Sequence, residues 1–261
     1  MTQLNPSFGD LLRSWRNRRS LSQLSLSVEA EISQRHLSFL ESGRSVPSRE
    51  MVLRLASQLE VPLRDCNVLL AAAGFAPVYR DRPLDDPDME DMRRAVTAIL
   101  TAHEPFPALA IDRHWTLIEA NEAVGPLLAG VGTALLVPPL NVLRLSLHPE
   151  GLAPRIENYR EWRCHILHRL DRQIAQVADP VLADLRDEVA DYPVPVDTAP
   201  WRAGPPNVIA TPMRLRSEVG RLNLLSATTI FGTALDVTLS ELAIETFLPA
   251  DKETRDLLFR R

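Results

Sequence analysis

The chain has 261 residues, 45% apolar and 24% charged, with a formal net charge of −5. That is the profile of a soluble globular protein long enough for two modest domains. No run of about 18 apolar residues occurs, so no membrane-spanning helix is expected. The N-terminal stretch lacks an apolar core followed by a small-residue cleavage site, so it does not read as a secretory signal. Two cysteines, Cys66 and Cys164, suggest no disulfide framework, and a cytoplasmic location is the expectation. Residues 1–63 hold eight arginines against six acids, about +2, which leaves −7 on the rest of the chain. A mildly basic head on an acidic body suits a small DNA-reading module joined to a domain that does not touch DNA.

The first 75 residues read as five short helices. Phe8, Leu11, Leu12 and Trp15 recur at helical spacing. Ser22 caps a second helix through Val28, with Leu24 or Leu26 turned inward. Ser33 caps a third, which stops at Gly43. Ser48 caps a fourth, with Met51, Val52, Leu55, Ala56 and Leu59 on one face, broken by Val61–Pro62. A fifth runs near Arg64–Ala73 and ends at Gly74. Residues 76–91, rich in proline and acids, read as a linker. Met92–Thr101 is helical. Residues 107–123 read as strand, a tight turn at Asp112–His114, strand, then helix. Residues 141–148 fit either helix or strand. Two helices follow at 155–176 and 180–190, then a Pro-rich loop at 193–206. Three apolar, β-branched segments (209–217, 220–232 and 241–248) suit neighbouring antiparallel strands, and a last helix covers Ala250–Arg260. The predicted architecture is an all-α five-helix domain (1–75), a linker (76–91) and an α+β domain with an antiparallel sheet (92–261).

Residues 22–42 have the layout of a helix-turn-helix, whose second helix enters the major groove. Leu37 and Leu40 point together, with Glu41 beside them. The other side holds Arg35, Phe39 and Ser42, flanked by Ser38. Arg35 can donate two hydrogen bonds to guanine, Phe39 can touch a thymine methyl, and Gln34 can read adenine or hold a phosphate. Ser22, Gln23 and Ser33 lie at helix starts, whose N–H groups suit phosphates. Arg44 and Ser45 follow the helix within reach of the DNA backbone. The plainer alternative is a core helix with a solvated outer face.

The segments LSQ (21–23), HLSFLESGR (36–44), VLRLASQLEVP (52–62) and LLAAAGFAP (69–77) resemble the Cro/C1-type (XRE) helix-turn-helix regulators. The resemblance implies that an arginine of helix 1, here Arg16, pairs with the glutamate ending helix 3, here Glu41. Two positions depart from the pattern. Glu31 stands where the family has its turn glycine, and Ser27 where it has an alanine. AHEPFPALAIDRHWTLIEAN (102–121), NVLRLSLHPEGLAPRIENYREWRCHIL (141–167) and TTIFGTALDVTLSELAIETFLPAD (228–251) extend the resemblance to the MmyB-like regulators. Those join the helix-turn-helix to a PAS-like ligand-binding domain. The resemblance therefore implies an operator-binding regulator holding a small apolar, fatty-acid-like ligand and no other cofactor; because a single small module binds DNA weakly, a homodimer is expected.

For that second domain, Leu109, Ile111, Leu117, Leu224, Ala227 and Ile230 are candidates to face inward. Asn141, Arg144 and His148 share one side of a short segment and can hold a carboxylate. The alternative is that Arg144 pairs with an internal acid and His148 caps a helix. Trp162 is a candidate pocket wall, although it, Trp115 and Phe231 fit a plain core equally. Cys164 and His168 stand one turn apart, short of the three or four ligands that a zinc site needs. No GxSxG, HExxH, P-loop or CxxC occurs, so no catalytic constellation is expected. An enzyme acting on a small apolar substrate and a module that binds a protein partner are the alternative functions.

Overall fold

In the computed structural model, the described residues are 6–177, 179–196, 211–232 and 236–260. They form two compact units: the first runs through Arg82, and the second begins at Pro83 and carries the sheet. The loop expected at 193–206, from 197 onward, and the first residues of the strand expected at 209–217 lie outside the described residues.

Helices α1 (Phe8–Arg18), α2 (Gln23–Glu29), α3 (Gln34–Glu41), α4 (Arg49–Gln58) and α5 (Leu63–Ala72) make the first unit. Four of them start alike. Ser7, Ser22, Ser33 and Ser48 each accept a hydrogen bond from the N–H three residues on, at 3.0–3.2 Å, satisfying a donor that the helix leaves orphaned. Gly43 and Gly74 follow α3 and α5 at positive φ. Leu12, Leu26, Leu37, Leu40, Val52 and Leu55 fill the core. Of the two residues considered for burial in α2, Leu26 is enclosed and Leu24 is 57% exposed. Beyond α5, the Asn67 side chain binds the backbone of Val78 and Tyr79, so this part of the stretch read as linker is folded against its own unit. The chain returns to that unit at α10 (Val237–Ser240), where Val237 N–H donates to the Arg80 carbonyl at 2.8 Å.

The second unit holds α6 (Glu90–Ala102), β1 (Ala108–Ile111), β2 (Leu117–Ala120), α7 (Val142–Leu147), most of α8 (Tyr159–Val177), α9 (Pro180–Asp191), β3 (Pro212–Ser217), β4 (Gly220–Ile230), β5 (Ala243–Pro249) and α11 (Lys252–Phe259). The strands form one antiparallel sheet in the order β2-β1-β5-β4-β3. Alternation gives the sheet two different faces. Ala108, Ala110 and Ile244 pack with Val96 and Leu100 of α6. Leu109, Glu245 and Phe247 point the other way, into a cavity. The turn expected at Asp112–His114 is present, with the Asp112 carboxylate accepting from the N–H of His114 and of Thr116 at 2.8 and 2.7 Å.

Three expectations need correction. The helix expected after β2 is a 3₁₀ segment over Glu122–Leu128 interrupted by Pro126, which cannot donate. Ala227 and Ile230 are not core residues; both are exposed, Ile230 by 66%. Ala227 lies opposite Thr246, on the face away from Glu245 and the cavity, and Ile230 is the last paired residue of β4, opposite Ala243.

Two backbone positions in the first unit carry tests. A Cβ on Gly9 would come within 2.5 Å of the Glu41 carbonyl oxygen and 2.7 Å of that of Leu40. Gly9→Ala must push α1 off α3, and urea unfolding is expected to show a loss of about 1–3 kcal/mol. Glu31 sits at φ 54° in the turn between α2 and α3, a conformation that costs a side chain about 1–2 kcal/mol. Glu31→Gly is expected to leave stability unchanged or raise it by up to about 1 kcal/mol in the same measurement, because relief of that strain exceeds or balances the entropy that glycine loses on folding.

Candidate functional sites

In the first unit the exposed side of α3 is defined by what its other side buries. Leu37 and Leu40 are enclosed, and Glu41, 3% exposed, goes in with them. A carboxylate out of water needs partners to offset its lost hydration. Arg16 of α1 supplies two bonds, from Nε to Oε1 at 2.6 Å and from Nη2 to Oε2 at 3.0 Å. Gln23 of α2 donates to Oε2 at 2.8 Å. Arg13 lies 3.5 Å from the same oxygen and donates to the Glu41 carbonyl. Burial acts to raise the Glu41 carboxyl, but the bonds from Arg16 and Gln23 outweigh it and hold the group below the ordinary carboxylate range.

Gln34 and Arg35 remain exposed, with Ser38 and Phe39 half-buried beside them. The guanidinium groups of Arg35 and Arg44 lie 5.3 and 5.9 Å from the Phe39 ring centre. Both distances are within the range of cation–π attraction. Ser22 and Ser33 stand at the N-caps of α2 and α3.

In the second unit a cavity of about 80 Å³ lies between the sheet and helices α7 and α8. Its walls are largely apolar, among them Leu109, Leu117, Leu143, Ile166 and Met213, with Ser146, Arg169, Ser226 and Glu245 as the polar groups. Trp115 and Trp162 also line it, and their ring N–H groups donate to Gln173 at 3.0 Å and to Ser146 at 2.8 Å. Arg169 of α8 donates to both oxygens of Glu245 and to the Thr228 hydroxyl, and its guanidinium lies 4.3 Å from the Trp115 ring centre. His165 stacks on Trp162 at 5.5 Å. Burial, then the nearby Arg169 and Arg172, push its imidazole down from the ordinary histidine range. A mostly apolar enclosure with a few placed polar groups is the usual form of a small-molecule site.

A family model described as the MmyB-like transcription regulator ligand binding domain matches residues 92–260. The chain belongs to the MmyB-like transcription regulators. A second model, a helix-turn-helix domain, matches residues 7–67. A search of the curated proteins found no match. This MmyB-like regulator is therefore a DNA-binding transcription regulator with a ligand-binding domain, and its domains are not those of an enzyme. No helix among the described residues is long and apolar enough to cross a membrane. Among those residues no group of three or more possible metal ligands occurs.

The residues singled out from the sequence of the MmyB-like regulator fall into distinct places. Ser33 caps α3, Gln34, Arg35, Ser38 and Phe39 belong to it, Arg44 and Ser45 follow it, and Ser22 caps α2. Gln23 is engaged in the Glu41 clamp. Trp162 lines the cavity; Asn141, Arg144 and His148 do not. Asn141 caps α7, accepting from Leu143 and Arg144 N–H. Arg144 is held by Glu188 of α9 through bonds of 2.8 and 2.6 Å. His148 accepts from Glu150 N–H at 3.1 Å and packs edge-on against Tyr192. Both are thus occupied by neighbouring chain. Sequence reasoning missed Arg169 and Glu245. Trp162, Ile166 and Arg169 recur at i, i+4, i+7, and Glu245 is a lone acid inside an apolar strand; those were the available signals.

The clamp makes stability depend on pH. The carboxyl of Glu41 titrates lower folded than unfolded, so its contribution is whole above about pH 4.3 and is lost as pH falls through the folded value. Arg16→Ala is expected to cost about 3 kcal/mol at neutral pH. Denaturant midpoints measured down to about pH 3 should show the gap between variant and parent narrowing.

Proposed function

We propose that the protein works as a homodimer that reads a double-stranded DNA operator with α3, and that a small apolar molecule in its second unit sets operator affinity. The observation that carries the reading is the pairing, in one chain, of an open cationic-aromatic helix side with an enclosed apolar cavity. Gln34, Arg35, Ser38 and Phe39 are the base-reading set, with Ser22, Ser33, Arg44 and Ser45 on the phosphates. One small module binds DNA weakly, and a dimer on half-sites about one helical turn apart supplies the missing contacts. A five-stranded antiparallel sheet with a cavity under its helices supports a PAS-like reading of the second unit. The ligand's body is a hydrocarbon chain, fatty-acid-like, a reading that the apolar walls support. A cavity of 80 Å³ is about half the ~150 Å³ void that accepts benzene, so a long chain needs the walls to part. The ligand changes DNA affinity only by favouring one arrangement of the dimer over another. A regulator of this kind acts in the cytoplasm, where its operator is.

The test is binding of full-length protein to its own promoter across a range of salt concentrations, with native mass spectrometry of the purified protein to find a bound small molecule. Arg35→Ala is expected to weaken binding by about 1–3 kcal/mol and to relax the preference at one base pair. Unchanged affinity and preference in that variant would remove α3 from the reading role. A protein that carries no small molecule, and whose affinity does not respond to added lipid extract, would remove the sensor role.

A further inference from the structure

Two guanidinium groups of the first unit are spent on oxygen. Arg16 binds both oxygens of Glu41, and Arg19 donates to the carbonyls of Leu59 and Glu60. Arg35 differs. Among the described residues it makes no ion pair and no hydrogen bond, and its guanidinium lies over the Phe39 ring, 5.3 Å from the centre. The helix brings the two together. Positions 35 and 39 are one turn apart on α3, and helical side chains lean toward the N-terminus, so Phe39 reaches back toward Arg35. The ring has little packing duty. Among the described residues, the partly buried apolar side chains packed on the core of the first unit include Leu11, Ile32 and Met51 but not Phe39. A leucine would continue the helix at least as well.

The kind of contact matters for recognition. A carboxylate beside Arg35 would take the same N–H fork that guanine requires at its O6 and N7. An aromatic face attracts the cation through its quadrupole and needs none of those donors. It therefore restricts a long side chain while leaving its donors unspent. Ordering the side chain before binding removes a cost that the complex would otherwise bear.

We propose that Phe39 is a positioning residue for Arg35: by holding the guanidinium ready, its ring sets how sharply the protein prefers guanine at one base pair of the operator. This rests on the reading of α3 as the operator helix, and it gives Phe39 a task in the base-reading set that acts through Arg35.

The experiment uses the full-length protein and a library of randomised duplexes, sequenced after binding at fixed salt. The base pair read by Arg35 is the one whose preference Arg35→Ala removes. There, Phe39→Leu is expected to reduce the preference for guanine about two- to five-fold, the worth of an exposed cation–π contact, and to leave the other base pairs unchanged. Phe39→Tyr, which keeps the ring, should keep the preference. Trifluorophenylalanine at position 39 keeps the shape and weakens the quadrupole, and should reduce the preference as Phe39→Leu does. Adding Phe39→Leu to Arg35→Ala should change nothing further at that base pair.

An undiminished preference with trifluorophenylalanine, whose shape protects the fold, overturns the proposal. So does a loss in Phe39→Leu at a different base pair, which would make the ring a direct reader of a thymine methyl. A uniform fall in affinity with every preference intact overturns it too, since the ring would then serve packing alone. Preferences unchanged at all base pairs in Arg35→Ala instead overturn the reading of α3 on which the proposal rests.

Discussion

Glu41 lies where three helices meet, and its charge is tolerated there because Arg16, Arg13 and Gln23 surround it. Remove the carboxylate's partners and a buried charge is left behind; satisfy them and α1, α2 and α3 are locked in one register. Gly9 allows the same junction on the other side, since α1 and α3 approach too closely there for any side chain. With the inner side of α3 committed in this way, the outer side carries no packing duty. Arg35 is thereby left exposed and Phe39 half-buried, and the helix-turn-helix forms with Glu31 at positive φ in its turn.

A second buried ion pair organises the other unit and serves a different end. Arg16 and Glu41 join helices across a packed core. Arg169 and Glu245 join a helix to the sheet at the wall of a cavity. The difference lies in place: one pair is sealed in a junction of helices, and the other lines a cavity. The sheet makes this possible because alternate residues of β5 serve opposite faces, so Ile244 packs against α6 while Glu245 faces the cavity.

Much of this was legible in the residues. The serine caps, the helical spacing from Phe8 to Trp15 and the glycine stops mark the five helices because each is a local signal, acting within one turn. The clamp between Arg16 and Glu41 was reached through family resemblance rather than spacing, since 25 residues separate the partners. In the second unit, apolar alternation pointed to the strands. It could not say that Ile230, the last paired residue of β4, would end exposed. Arg144 and His148 share a side of one short helix and so seemed suited to an anion; Glu188 and Tyr192, more than 40 residues on, occupy them instead.

The amino-acid sequence by itself determined where helices begin and end, which face of each is apolar, and that a DNA-reading module precedes a domain of another kind. Those properties depend on neighbours within a few residues, and chain order records them directly. Only the tertiary structure decided which charged groups meet. Arg169 finds Glu245 across 76 residues of chain, because α8 packs over the cavity face of the sheet and β5 lies at its centre. Long-range pairing of that sort follows from packing, and so the polar corner of the cavity was visible only once the sheet and its covering helices were in place.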